Sequence, residues 1–179
     1  MAEVTTGWRR PGGGGIALGG LIWALGVVIY LVDGPLQVSF WVSAVGILIT
    51  AIALWLSSAA AGSIRWGRLG FLLAALGMGL GIVVQALAVL GLGLPDFVGT
   101  VLDVVELVGL VLASVAVLRA GVAKGFASWA LFLPTAWTAI ALLAALGVPI
   151  PTDWWLALGF GVLYVVTGVA YLTSGRRSA

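Results

Sequence analysis

The chain has 179 residues, of which 63% are hydrophobic and only 8% are charged. A soluble domain of this size cannot expose so much apolar surface to water, so the composition excludes a soluble globular protein and indicates an integral membrane protein. The sequence contains no cysteine and no histidine, which excludes disulfides, thiolate chemistry and imidazole-bound metal or haem, and we expect neither a metal nor a cofactor.

Six apolar runs in the sequence are long enough to cross a membrane. A bilayer core roughly 30 Å thick requires about 20 apolar residues in a helix. In chain order the runs are Gly15 to Val32, Val38 to Ser57, Leu69 to Leu92, Phe97 to Leu118, Ala127 to Gly147 and Trp154 to Ser174. We predict an all-α protein with one six-helix transmembrane domain at residues 15–174, a cytoplasmic segment at 1–14 and a cytoplasmic tail at 175–179.

The basic residues predict how the chain is oriented in the membrane. All eight lie beside the same ends of the six runs, at Arg9, Arg10, Arg65, Arg68, Arg119, Lys124, Arg176 and Arg177. Because cytoplasmic loops are enriched in Lys and Arg, we expect a multi-pass protein of the cell membrane with both termini in the cytoplasm. The bias towards Gly, Ala, Val and Trp favours a bacterial inner membrane. No basic patch is long enough to predict nucleic-acid binding.

The predicted helices follow one another as three hairpins, and the second and third hairpins share their spacing. Asp96 to Arg119 spans the same distance as Asp153 to Arg176. A parallel repeat of these two hairpins is therefore a hypothesis. We also expect Asp96 and Asp153 to cap the helices that follow them, since a short acceptor before a helix satisfies its free amides.

Small residues four positions apart mark faces where membrane helices pack closely. Such pairs occur in four of the predicted helices, at Gly15 and Gly19, Gly77 and Gly81, Gly109 and Ala113, and Ala157 and Gly161. Tryptophans near the ends of the runs predict an aromatic belt at each interface. The outer belt is Trp41, Trp154 and Trp155, and the inner belt is Trp8, Trp55, Trp66 and Trp129.

The fourth run contains two carboxylates, Asp103 and Glu106, within the stretch TVLDVVELVGLVL at residues 100–112. At about 100° per residue they share one stripe of the helix, while the opposite face is mostly valine. The stripe consists of Gly99, Asp103, Glu106, Leu110 and Ala113. We expect this stripe to face other helices. Counted from Phe97, Glu106 lies about 13 Å deep and Asp103 about 9 Å deep.

A charge at this depth costs at least ~2.5 to 3.5 kcal/mol, so something must compensate for the two acids. No Lys or Arg of the chain lies within the spans, which leaves three alternatives. The acids are protonated, which burial and each acid's negative neighbour favour. They line a hydrated cavity that admits a cation. They meet a basic residue of another protein.

Polar residues at similar depth are candidates to complete a binding site with Asp103 and Glu106. These candidates are Gln85, Thr135, Thr138 and Tyr164. Each also has an ordinary role, because threonine often bonds back to its own helix and buried glutamine often joins neighbouring helices. Pro134 removes an amide donor and frees the carbonyl of Ala130, so we expect a kink in the fifth helix.

Two functions fit these features. The first is a small permease or proton-linked carrier that binds a proton, a cation or a small cationic solute at Asp103 and Glu106. The second is a non-transporting membrane subunit or assembly factor, which uses the acids and the small-residue faces to bind a partner membrane protein or another copy of itself. We expect no enzymatic activity, since intramembrane hydrolysis by two aspartates requires them on facing helices, and these acids share one helix.

Overall fold

The computed structural model describes residues 9–32, 34–61, 64–95, 97–121, 123–150 and 154–174. Within these residues the chain forms six α-helices and no strand. The helices are α1 (Gly14–Leu31), α2 (Leu36–Leu56), α3 (Arg65–Val89), α4 (Phe97–Ala120), α5 (Phe132–Ala145) and α6 (Trp154–Thr173). A π-helical turn at Arg9–Gly13 precedes α1, and 3-10 turns occupy Ser57–Ala61 and Gly125–Ser128. The predicted caps Asp96 and Asp153 lie outside the described residues.

Five of these helices are long and apolar enough to cross a membrane, as is typical of a multi-pass integral membrane protein. The exception is α5, whose 14 residues extend only about 21 Å at 1.5 Å per residue. The predicted run from Ala127 to Gly147 is therefore a shorter helix preceded by a separate 3-10 turn. The two turns that bound this region contain glycines with positive φ, Gly125 at 60° and Gly147 at 89°. A sixth span stays a prediction.

The expected kink at Pro134 is wrong, because α5 begins only two residues before it. In the first turn of a helix an amide has no intrahelical acceptor, so proline is tolerated there without bending the axis. The Thr167 hydroxyl of α6 lies 2.8 Å from the Leu163 carbonyl of its own helix. The carbonyl of Ala130 accepts the Leu133 amide at 3.2 Å and also a hydrogen bond from the Thr167 hydroxyl at 3.0 Å. This bond ties the chain just before α5 to α6.

Glycines bring helix backbones into close contact in three pairs of helices, α1 with α2, α1 with α6 and α3 with α4. A Cβ on Gly20 of α1 would lie 2.6 Å from the carbonyl oxygen of Gly161 in α6, and a Cβ on Gly70 of α3 would lie 2.6 Å from the amide nitrogen of Ala113 in α4. The predicted contact glycines that meet neighbouring helices are Gly15, Gly19, Gly77, Gly109 and Gly161. The same prediction is wrong for Gly81, which has nothing within 4 Å. The repeat of the second and third hairpins stays a prediction.

Burial divides α3 to α6 into a packed half and an open half. The packed half carries all their described buried residues and lies at the end where Arg65 and Arg119 stand. In the open half, no described residue is buried within 79–108 or within 139–160. Helices α1 and α2, in contrast, have buried residues also at the end of the bundle opposite Arg65 and Arg119, such as Val27 and Ser39.

The two faces of α4 are as the sequence predicts. Leu110 and Ala113 on the small-residue stripe are fully buried, whereas Val101 and Val104 on the opposite side are 53% and 43% exposed. The branched apolar face is therefore on the outside of the bundle, as expected of a lipid-facing surface, and the stripe that carries the carboxylates faces its interior.

Candidate functional site

A pocket of about 140 Å³ lies where the packed half of the bundle ends. All six helices contribute to its wall. Its lining residues are Trp23, Ile47, Gly77, Met78, Gly81, Ile82, Gln85, Asp103, Glu106, Thr138, Ala141 and Phe160. The last buried residue of α3 is Met78 and the last of α5 is Thr138, and both line the pocket. The packed half thus forms its floor, and the open half lies above it.

Asp103 and Glu106 both line this pocket and are partly buried. They are three residues apart on α4, a spacing that places side chains on the same face about 5–6 Å apart. The backbone of α3 approaches this face at Gly77, where a Cβ would lie 2.7 Å from the amide nitrogen of Glu106. Glu106 therefore stands at the seam between α3 and α4.

No cationic side chain among the described residues neutralises either carboxylate. The nearest basic residue on the same helix is Arg119, thirteen positions after Glu106 and thus about 20 Å along the axis. Its guanidinium lies 5.8 Å from the centre of the Trp66 ring. The two acids therefore lack a counter-ion within the described part of the chain.

Thr138 links Glu106 to α5 through a hydroxyl that has two neighbours. Its Oγ1 lies 3.5 Å from Oε1 of Glu106, and it donates a hydrogen bond to the carbonyl of Pro134 at 3.0 Å. A hydroxyl has one proton and can serve only one acceptor at a time. A protonated Glu106 satisfies both contacts, since it can donate to Thr138 while Thr138 donates to Pro134. An ionised Glu106 competes with the Pro134 carbonyl for the Thr138 proton.

Tyr164 is fully buried and lies close enough to Glu106 to interact with it electrostatically. The Tyr164 hydroxyl interacts with the Glu106 carboxyl at a separation beyond that of an ordinary hydrogen bond, and no other described residue pairs with it. Its ring stacks on Trp23, with the centroids 6.0 Å apart. Buried hydroxyl groups are rarely left unpaired, so this one marks a group that can donate when Glu106 changes its position or charge.

The remaining two predicted site residues have different positions. Gln85 lines the pocket from the open half of α3, where its side chain is exposed. Thr135 does not line the pocket. Its hydroxyl donates to the Leu131 carbonyl at 2.7 Å and lies 3.1 Å from the Ser114 hydroxyl, which joins α5 to α4 inside the packed half. Thr135 therefore has a structural position rather than a place in the pocket wall.

The sequence reasoning missed an aromatic wall of the pocket, formed by Trp23 of α1 and Phe160 of α6. Their rings are stacked, with centroids 5.2 Å apart and an interplanar angle of 6°. A signal was present, because Trp23 is one of two tryptophans that stand in the middle of a predicted span and belong to neither belt. The other, Trp137, donates from its indole nitrogen to the Leu156 carbonyl at 2.8 Å.

The pocket thus combines two carboxyl groups that lack a counter-ion with polar donors and an aromatic surface. Such a site can hold a proton on either carboxylate or a cation between the carboxylates and the aromatic wall. No protein family, curated protein or solved structure matches this chain in comparisons with known proteins. The chemistry of the pocket is therefore the basis for inferring its function.

Proposed function

We propose that the protein is a small permease or proton-linked carrier that binds a proton, a cation or a small cationic solute at Asp103 and Glu106. One observation carries the proposal. Both carboxylates line a pocket inside the helical bundle, and no described Lys or Arg neutralises them. Intramembrane acids without a counter-ion are typical of ion and proton pathways, because an uncompensated charge there is costly.

Protons and cations compete for the same pair of carboxylates in this mechanism. When the pocket is empty, protons keep the pair close to neutral, and Glu106 donates to Thr138 as described above. When a cation enters, its charge replaces that of a proton, and the proton leaves. Each cation bound therefore releases up to one proton, which couples movement of the solute to a proton gradient.

The distribution of packing supports entry from one end. The open half of α3 to α6 leads from the pocket away from the basic residues, whereas the packed half closes the other side. With the basic residues on the cytoplasmic side, as the positive-inside rule predicts, the pocket opens outward in this conformation. We propose the cytoplasmic membrane of a bacterium as the location, with both termini on the cytoplasmic side.

The experiment is a flux measurement on the full chain reconstituted in liposomes. Proton movement and uptake of sodium, potassium and alkylammonium ions are followed for wild type, Glu106→Gln and Glu106→Asp. We expect uptake of at least one cation by wild type, loss of that uptake in Glu106→Gln, and partial retention in Glu106→Asp, which keeps the charge on a shorter side chain. Equal flux in wild type and Glu106→Gln overturns the proposal.

A specific observation also favours the second candidate, a non-transporting subunit or assembly factor. Gly79 on α3 and Gly99 on α4 lie in the open half and have nothing within 4 Å. Small unpacked residues are where a helix from a partner or from a second copy would fit. Absence of cation flux in both wild type and Glu106→Gln across the whole screen favours this candidate over transport.

A further inference from the structure

We propose that the cation is a small alkylammonium ion, held between the carboxylates of Asp103 and Glu106 and the aromatic wall of Trp23 and Phe160. This inference rests on the proposed function and adds the chemical class of the solute. The aromatic wall is the feature that distinguishes an alkylammonium ion from an inorganic ion.

The aromatic wall is fixed in place by its neighbours. The Trp23 ring stacks with the rings of both Phe160 and Tyr164. Phe160 also packs against the buried core of the bundle. The backbone of α2 comes so close at Gly46 that a Cβ there would collide with the amide nitrogen of Trp23. Aromatic rings that line a pocket, as Trp23 and Phe160 do, are preferred surfaces for an alkylated ammonium ion, since its methyl groups bury apolar area against them while its charge is attracted to the π-electrons.

The rest of the pocket wall suits an alkyl group better than a bare metal ion. Hard inorganic cations require several oxygen ligands at close range. Oxygen-bearing side chains occupy part of the wall, at Gln85, Asp103, Glu106 and Thr138. Much of the rest supplies no oxygen and consists of Ile47, Met78, Ile82 and Ala141. An alkylammonium ion can use this apolar lining together with the two carboxylates, because its charge is surrounded by carbon.

The buried Tyr164 hydroxyl also supports a ligand at this site. It is fully buried, and it interacts with Glu106 without the geometry of an ordinary hydrogen bond to any described residue. In the empty pocket a protonated Glu106 uses its proton on Thr138. When an ammonium ion displaces that proton, the ionised carboxylate needs a hydrogen-bond donor other than Thr138, because the Thr138 hydroxyl donates to the Pro134 carbonyl. Tyr164 is that donor, so the hydroxyl is paired in the loaded site.

The pocket volume limits the size of the solute. An apolar protein cavity of about 150 Å³ admits benzene, and this pocket, at about 140 Å³, accepts a solute of similar bulk. Tetramethylammonium is of that size, whereas a longer polyamine would extend from the pocket into the open half of the bundle. The expected solute is therefore a compact monovalent ammonium ion.

Binding to the full chain in lipid nanodiscs tests this inference with three probes. Tetramethylammonium is compared with potassium, which has the charge without the apolar surface, and with tert-butanol, which has a similar shape without the charge. Calorimetry is expected to show binding of tetramethylammonium and at least tenfold weaker binding of the other two probes.

Variants of the aromatic wall provide the second arm of the test. We expect Trp23→Leu to weaken tetramethylammonium binding about three- to thirtyfold and Trp23→Tyr to restore part of the loss, in line with the strength of cation–π contacts. Trp41→Leu is the matched control, since Trp41 is 48% exposed and does not line the pocket. Thermal unfolding of each variant shows whether a loss of binding reflects a loss of fold.

The outcomes separate the inference from the proposed function. The alkylammonium assignment is overturned if potassium binds as tightly as tetramethylammonium and if this binding is lost in Glu106→Gln but unaffected by Trp23→Leu. The proposal of a cation carrier then still stands. Binding or uptake of any probe that is unchanged by both Glu106→Gln and Asp103→Asn overturns both. If Trp23→Leu and Trp23→Tyr both unfold the protein, the comparison of the three probes on wild type decides the inference alone.

Discussion

Two glycines on α3, only two residues apart, give opposite responses to the same substitution. A Cβ on Gly77 would lie 2.7 Å from the amide nitrogen of Glu106 and 2.9 Å from its Cα, whereas a Cβ on Gly79 would meet nothing within 4 Å. Ordinary carbon contacts are about 3.5–4.0 Å, so Gly77→Ala forces α3 and α4 apart by roughly 0.7 Å at the height of Glu106. Overpacking of this kind typically costs about 1–3 kcal/mol.

The Gly79→Ala variant removes the ambiguity that accompanies any glycine substitution. Replacing a helical glycine by alanine stabilises a helix by about 0.5–1 kcal/mol, and this contribution is common to both variants. We therefore expect the free energy of unfolding of Gly77→Ala to be about 1–3 kcal/mol lower than that of Gly79→Ala, measured by titration from mild detergent into SDS. Equal stability of the two variants would refute the close approach of α3 to Glu106.

Two further predictions concern the link between α5 and α6 and the effect of pH. Thr167→Val removes the hydroxyl that the Ala130 and Leu163 carbonyls share and should lower the free energy of unfolding by about 0.5–1.5 kcal/mol. Thr173→Val removes a hydroxyl that bonds only within α6 and should change the free energy of unfolding little, so equal losses in the same SDS titration contradict the link between α5 and α6. Tetramethylammonium affinity should fall as pH falls, by up to about tenfold per pH unit when one proton is displaced from Asp103 and Glu106, and calorimetry that shows no pH dependence contradicts proton exchange.

Periodicity predicted the parts of the structure that depend on one helix at a time. The stripe of α4 that carries Asp103 and Glu106 faces the bundle, and five of the predicted contact glycines meet neighbouring helices. A helical face depends only on the angle of about 100° per residue, so it can be read without knowledge of the neighbours. The same reasoning wrongly placed Gly81 at a helix contact. The spacing of four residues between Gly77 and Gly81 does not reveal that α3 has already moved away from its neighbours at Gly81.

The features that involve three or more helices could not be predicted from the sequence. The pocket wall joins Trp23 and Phe160 from opposite ends of the chain, and nothing in local sequence indicates that α1 packs on α6. Pro134 illustrates the other difficulty. Proline both bends helices and begins them, and only the position of the turn before α5 decides between the two.

Difference infrared spectroscopy tests the exchange of a proton for a cation at Asp103 and Glu106 most directly. Protonated and ionised carboxyl groups absorb at different frequencies, so the change on adding tetramethylammonium reports the state of the pair itself. We predict that a protonated-carboxyl band disappears from wild type as the ion binds, and that this band is absent from the double variant Asp103→Asn with Glu106→Gln. A wild-type spectrum with ionised carboxylates before and after the ion is added would contradict the account.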